Sequence, residues 1–201
     1  MFRTTAALLL AAVSAAVFAQ APANPPVRVR GTVEKLDGNM LHVKARNGQD
    51  VTIKLADIFV VVGLHKASIA DIGKDKFIGT TTVGEKDGAL VAEEVHIFPE
   101  AMRGTGEGHY DWDLKPNSKM TNANVANIVA MKDSKVMTVQ YKGGEKMVLV
   151  TPATHVVTYA PADKSELKPG APIFSVTQKQ PDGTLTAARV NVGMNGMVPP
   201  M

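Results

Sequence analysis

Glu107, His109 and Asp111 alternate near the middle of this 201-residue chain, within the segment GEGHYDWDL. In an extended strand, side chains point to opposite faces in turn, so these three would share one face and Tyr110, Trp112 and Leu114 the other. One imidazole and two carboxylates suit a hard or borderline divalent ion, zinc or copper. The same spacing also describes an amphipathic linker that lays its aromatic face on a barrel and turns its polar face to water. Arg103, just before this segment, joins Glu107, His109, Asp111 and Trp112 as a ligand-binding candidate. A second metal candidate is the Gly/Pro-rich tail over residues 193–201. Its Met194, Met197 and Met201 have no obvious core to bury them, and exposed thioethers favour Cu(I).

Other chemistry finds less support. The run GTGEG over residues 104–108 resembles a phosphate loop, but His109 stands where a third glycine belongs and no helix pattern follows. There is no Gly-x-Ser-x-Gly elbow, and none of the five histidines has a nucleophile or acid at motif spacing. With no cysteine there are no disulfides, thiolate metal sites or catalytic thiol. The net charge of +3 is spread over lysines alternating with acids. Aromatics make up only 5%, so neither a polyanion patch nor a base-stacking platform is expected, and nucleic acid is excluded as a partner.

The elements that would position these residues are written twice. Residues 33–43 (VEKLDGNMLHV) are echoed by 129–139 (VAMKDSKVMTV), and 87–95 (DGALVAEEV) by 182–190 (DGTLTAARV), at offsets of 96 and 95. Two segments matching in order at nearly one spacing indicate a duplication. Within the first copy, Leu41, Val43 and Ala45 alternate with His42, Lys44 and Arg46, and Val51, Ile53 and Leu55 with Thr52 and Lys54. Asp37-Gly38, Asn47-Gly48 and Asp87-Gly88 supply hairpin turns. A Val-rich stretch over 57–63 reads as a buried strand, and Ser68 caps a short helical turn over 67–72. Three or four strands, a short helix and two strands is the order of a five-stranded Greek-key barrel of the OB type. The second copy runs the same way through a helical turn near 163–167.

The paired Asp-Gly motifs, the last strand and the segment HIFPEAMRGTGEGH over 96–109 resemble a family of exported bacterial proteins with tandem OB-like repeats of a domain of unknown function. The resemblance covers most of 27–192. It implies two small barrels and little about activity.

The expected organisation is mainly β: two OB-like Greek-key barrels in tandem, each with one short helix, following a signal peptide. Residues 1–19 carry Arg3, an Ala/Leu/Val run and small residues before Gln20. That is the pattern of a secretory signal cut after Ala19, and it implies a periplasmic or secreted protein. An uncleaved anchor is the alternative. A Pro-rich leader spans 20–26, repeat one 27–98, a connecting segment 99–121, repeat two 122–192 and the tail 193–201. Each repeat is expected to form its own core, with Trp112 anchoring the connecting segment to a barrel. No later apolar stretch is long enough to span a bilayer. The functional expectation is a non-enzymatic binding or adaptor protein with a protein or small-molecule partner in the cell envelope. A periplasmic copper- or zinc-binding protein is the alternative.

Overall fold

A computed structural model describes residues 25–201. The expected signal peptide and most of the Pro-rich leader lie outside the described residues. The described residues are mainly β, with twelve strands: β1 Val27–Asp37, β2 Met40–Ala45, β3 Asp50–Lys66, β4 Phe77–Lys86, β5 Ala89–Ile97, β6 Gly108–Asp111, β7 Lys119–Ala130, β8 Lys135–Tyr141, β9 Gly144–Val150, β10 His155–Pro161, β11 Pro172–Lys179 and β12 Leu185–Gly193. The alternation that builds them is visible in burial. Leu41, Val43, Ile53 and Leu55 are buried while Lys44, Thr52 and Lys54 are exposed. Among the described residues no helix is long and apolar enough to cross a membrane.

Strand pairing closes two five-membered rings. In the first, β1 pairs β2, β2 pairs β3, β3 pairs β12, β12 pairs β11, and β11 returns to β1. In the second, the cycle is β7, β8, β9, β5, β4 and back to β7. Each ring therefore takes three strands from one repeat and two from the other. Its core does the same: Val33, Leu41 and Ile53 pack with Ile173, Ala187 and Val190, and Ile78 and Val95 pack with Val125, Met137 and Val148. The expectation of a separate strand set for each repeat is corrected here. Two cores exist, but the boundary near residue 99 runs through both.

The exchange is organised about a pseudo-two-fold axis. Leu64 and Tyr159 are 95 residues apart, and they face one another in the antiparallel ladder between β3 and β10. Val62 pairs Pro161 and Lys66 pairs Val157, so the ladder reads the same from either repeat. The flanking parallel ladders are equivalent too. Val60–Arg189, Val61–Val190 and Val62–Asn191 on β3 and β12 match His155–Glu94, Val156–Val95 and Val157–His96 on β10 and β5. Such isologous pairing is the geometry of a symmetric dimer, here within one chain.

Three local expectations change. Both short helices are three-residue 3-10 turns, Ile69–Asp71 and Lys164–Glu166. The Ser68 N–H and hydroxyl both donate to Asp71 Oδ2 at 2.7 Å, and Asp163 Oδ1 accepts from the Ser165 N–H at 2.8 Å. The repeat register is also not constant. β1 and β7 carry the same bulge after Val33 and Val125, 92 residues apart, whereas Leu41 and Met137 are 96 apart. A longer β7–β8 hairpin absorbs the four residues. Finally, the tail is held down. Arg30 Nε donates to the Met201 carbonyl at 2.8 Å and an Arg46 N–H to the Pro199 carbonyl at 2.7 Å, and Met201 is 1% exposed among Leu64, Val157 and Phe174.

Candidate functional site

The polar row of the connecting segment does not converge. Glu107 Oε1 accepts the Lys142 N–H at 2.9 Å. His109 Nδ1 lies 2.8 Å from Thr121 Oγ1, with its ring stacked on Tyr141 at 6.2 Å. Asp111 pairs with Lys119. Burial and the neighbouring Lys146 and Lys119 lower the His109 pKa, while the Lys119 hydrogen bond holds Asp111 below the usual carboxylate range. Among the described residues no three His, Cys, Asp or Glu side chains come together as a metal would require. Arg103 is a clasp: it bonds Glu100, Asn124 and the Asp75 carbonyl. The methionines scatter as well. Met194 packs on the first core, and Met197 and Met201 belong to the junction cluster between the barrels.

The aromatic row points to a different place. β6 pairs with the start of β7, and the turn beyond it is closed by the Trp112 N–H to the Ser118 carbonyl and by the Ser118 hydroxyl to the Trp112 carbonyl, both 2.9 Å. This sets Trp112 against the junction cluster, half-buried, edge-on to Phe174 at 6.3 Å and to Tyr110 at 6.1 Å. The Arg28 guanidinium lies 3.9 Å above its ring. The expected anchoring contact is present, and Trp112 also forms one wall of a cavity of about 710 Å³ between the two rings beside the pseudo-two-fold axis.

That cavity is where the polar and aromatic groups gather. Its walls include Phe98, Tyr110, Trp112, Tyr159 and Phe174, five of the eight Phe, Tyr and Trp residues in the described chain. Phe98 and Tyr159 stack at 5.2 Å, with His96 edge-on to both. Arg28 and Arg189 line it, and Arg28 pairs with Asp113 at 3.7 Å. Five buried side-chain polar atoms have no hydrogen-bond partner among the described residues. Four of them, Arg28 Nε, Trp112 Nε1, Asn122 Oδ1 and Asn191 Oδ1, belong to residues of this wall. A buried unpaired group costs about 1–3 kcal/mol, so their concentration in one place calls for a reason. Burial, reinforced by Glu94, pushes the Tyr159 hydroxyl far above its ordinary range, so it stays a neutral donor.

Behind the wall runs a buried polar chain. Thr81 Oγ1–H donates to Glu94 Oε1 at 2.6 Å, and Glu94 Oε2 lies 3.0 Å from His96 Nδ1. The Glu94 and His96 side chains are 1% and 5% exposed. Gly79 makes the room, since a Cβ there would stand 1.8 Å from His96 Nε2 and 2.4 Å from Asn122 Oδ1. The sequence reading passed over this pair. The signal was available: Glu94 and His96 are two apart on a strand and so share a face, with Thr81 opposite Glu94 on the neighbouring strand. No family model, no curated protein and no solved structure matches this chain.

Proposed function

We propose that the chain is an exported binding protein built of two OB-like barrels, with its site in the cavity between them and a small, ring-containing, apolar molecule with a polar or anionic group as its ligand. The strand order of each ring, 1-2-3-5-4 when the exchanged strands are counted as the fourth and fifth, supports the OB-like reading. The N-terminal pattern of residues 1–19 supports export. The observation that carries the site is the coincidence of most described aromatics with most of the unpartnered buried polar atoms in one concave space. This is the usual composition of a small-molecule pocket: apolar walls with a few polar hooks. Arg28 is already paired with Asp113 at 3.7 Å, and Arg189, in the same wall, favours negative charge on the ligand.

The test is titration with 1-anilinonaphthalene-8-sulfonate, whose fused rings and sulfonate match this wall. Trp112 is the only tryptophan, so saturable quenching of its emission reads occupancy directly. One site per chain is expected, abolished by Ala188→Phe, which fills the cavity from an exposed wall position without adding a second tryptophan. Probe binding that does not saturate, or that is untouched by Ala188→Phe, sinks the proposal.

A further inference from the structure

We infer that the Thr81–Glu94–His96 chain makes this cavity selective for a planar aromatic molecule bearing a hydroxyl, a phenol by chemical class, whose O–H donates to His96 Nε2. The inference rests on the proposal that the cavity is a ligand site.

Glu94 accepts the Thr81 hydroxyl at Oε1, and with its hydrogen on Nδ1 His96 donates to Glu94 Oε2 at 3.0 Å. In the neutral ring Nε2 is then the acceptor. Glu94 thus acts as a positioning residue that selects the tautomer, as second-shell carboxylates do elsewhere. The ring is held edge-on between Phe98 at 4.8 Å and Tyr159 at 5.7 Å, so an aromatic ligand stacked on either places its substituent near the imidazole edge. Arg28, paired with Asp113 at 3.7 Å, and Arg189 line the same wall. The Arg189 charge favours a hydroxyl whose oxygen gains negative character as its proton is shared. The opposite half of the pseudo-dimer holds no such pair. Arg189 and Asn191 occupy the positions equivalent to Glu94 and His96, so the carboxylate-oriented imidazole lies on one side of the axis only.

A matched pair of probes tests this. 2-Naphthol and 2-methoxynaphthalene share a ring system and differ in the proton, and their affinities are read by calorimetry on the full mature chain. About tenfold tighter binding of the naphthol is expected, the scale of one hydrogen bond. In His96→Gln the preference should fall below about twofold. Glu94→Gln is the second variant. Its carboxamide can still accept from Thr81, but it donates to Nδ1, so Nε2 becomes a donor and the hydroxyl preference is lost while the cavity shape is kept. Unchanged circular dichroism and retained anilinonaphthalene sulfonate binding qualify each variant. Equal affinity for the two probes in the wild type, or a preference that survives in a qualified variant, overturns the inference and leaves the cavity reading standing. Failure of all three probes to bind removes both.

Discussion

The two halves around the pseudo-two-fold axis share a backbone and differ in chemistry. Glu94, Val95 and His96 on β5 pair with β10 in the register that Arg189, Val190 and Asn191 on β12 keep with β3. The central valines are both buried. On either side of them an acid and a histidine face a base and an amide. Gly79, which gives His96 its room, corresponds at the same offset to Phe174, which fills the space and meets Trp112 edge-on. Between the repeats the chain inserts the arm carrying β6, and after the second repeat it ends in a short tail folded onto the junction. Burial and ladder pairing hold the duplicated backbone, while the unmatched residues, beginning with Glu94 and His96, give one side of the axis a cavity with a proton acceptor. The same comparison exposes a second pair. A cleft between 57–62 and 159–164 has its counterpart, 95 residues on, between 152–156 and 66–69. Those two clefts have diverged as well, since Ile58, Phe59 and Val60 line the first where Ala153, Thr154 and His155 line the second.

The largest effect comes from separating the halves. Residues 122–192 alone retain β8, β9, β10 and β11 and most of β7 and β12, but in the folded chain the ring of β7, β8 and β9 closes only with β4 and β5. Unpaired strand edges and a core missing Ile78 and Val95 leave little to offset chain entropy. The fragment is expected to be unfolded by circular dichroism, and to gain strand signal when residues 25–121 are added in trans. A fragment that folds as a stable monomer would show that its own β11 and β12 can close the ring, and would break the exchanged arrangement.

Next comes the room beneath His96. Gly79→Ala places a methyl 1.8 Å from Nε2, 2.3 Å from Cε1 of the same ring and 2.4 Å from Asn122 Oδ1. Overpacking of this kind costs about 1–3 kcal/mol, and the upper end is expected because His96 is walled in by Phe98 and Tyr159. Chemical denaturation measures it. The Gly79→Ala/His96→Ala double variant should be less damaged than the two single costs predict, since each relieves the other. Strict additivity would mean that the ring is free to swing away.

The two Asp-Gly turns sharpen the comparison at smaller cost. Asp87 and Gly88 both adopt positive φ, 52° and 78°, between the paired Lys86 and Ala89, which is a two-residue primed turn. In the second copy only Gly183 is left-handed, at 88°, while Asp182 accepts the Thr184 N–H at 2.9 Å. Gly88→Val and Gly183→Val each force a β-branched residue into that region, for about 1–3 kcal/mol. Gly88→Val should be the worse of the two, because its strain adds to that of Asp87 and its side chain grows toward Met147 Cε, 3.8 Å from a built Cβ. Gly88→Asn, which tolerates the conformation, should recover most of the loss. Equal melting temperatures for the two valine variants would mean that the turns are equivalent after all.

What the sequence made legible was local. Alternation at Leu41, Val43, Ile53 and Leu55 found strands and their buried faces, Asp-Gly found the turns, and Ser68 found a cap, because each is decided by neighbours within a few residues. The aromatic side of the connecting segment was legible for the same reason. What was not legible is which strand closes which ring. Leu185 pairs in parallel with Ile53 across more than half the chain, and nothing in either strand distinguishes that partner from the equivalent position in its own repeat. The site suffered the same blindness. Phe98, Trp112, Tyr159 and Phe174 come from distant elements, so their convergence follows from the exchange, and only the Glu94-x-His96 spacing was written locally.

The smallest effect separates the two faces of the β6 arm. The aromatic face buries Trp112 and does not titrate near neutrality, whereas the polar face carries His109, half-buried against Thr121 and Tyr141. Desolvation lowers its pKa first, then Lys146 and Lys119, with Asp111 opposing. A histidine whose folded pKa lies below its unfolded value binds fewer protons when folded. Stability is then full above the unfolded pKa, about 6.5, and falls as the pH drops through it, because the unfolded chain takes up the proton first. The melting temperature should therefore decline from pH 7.5 toward pH 5.5, before the exposed carboxylates contribute. His109→Gln keeps a polar group facing Thr121 and removes the titration, so its profile over that window should be flatter than that of the wild type, with near equality at the acid end. Parallel profiles would place His109 in water, and the arm would then be held by its aromatic face alone.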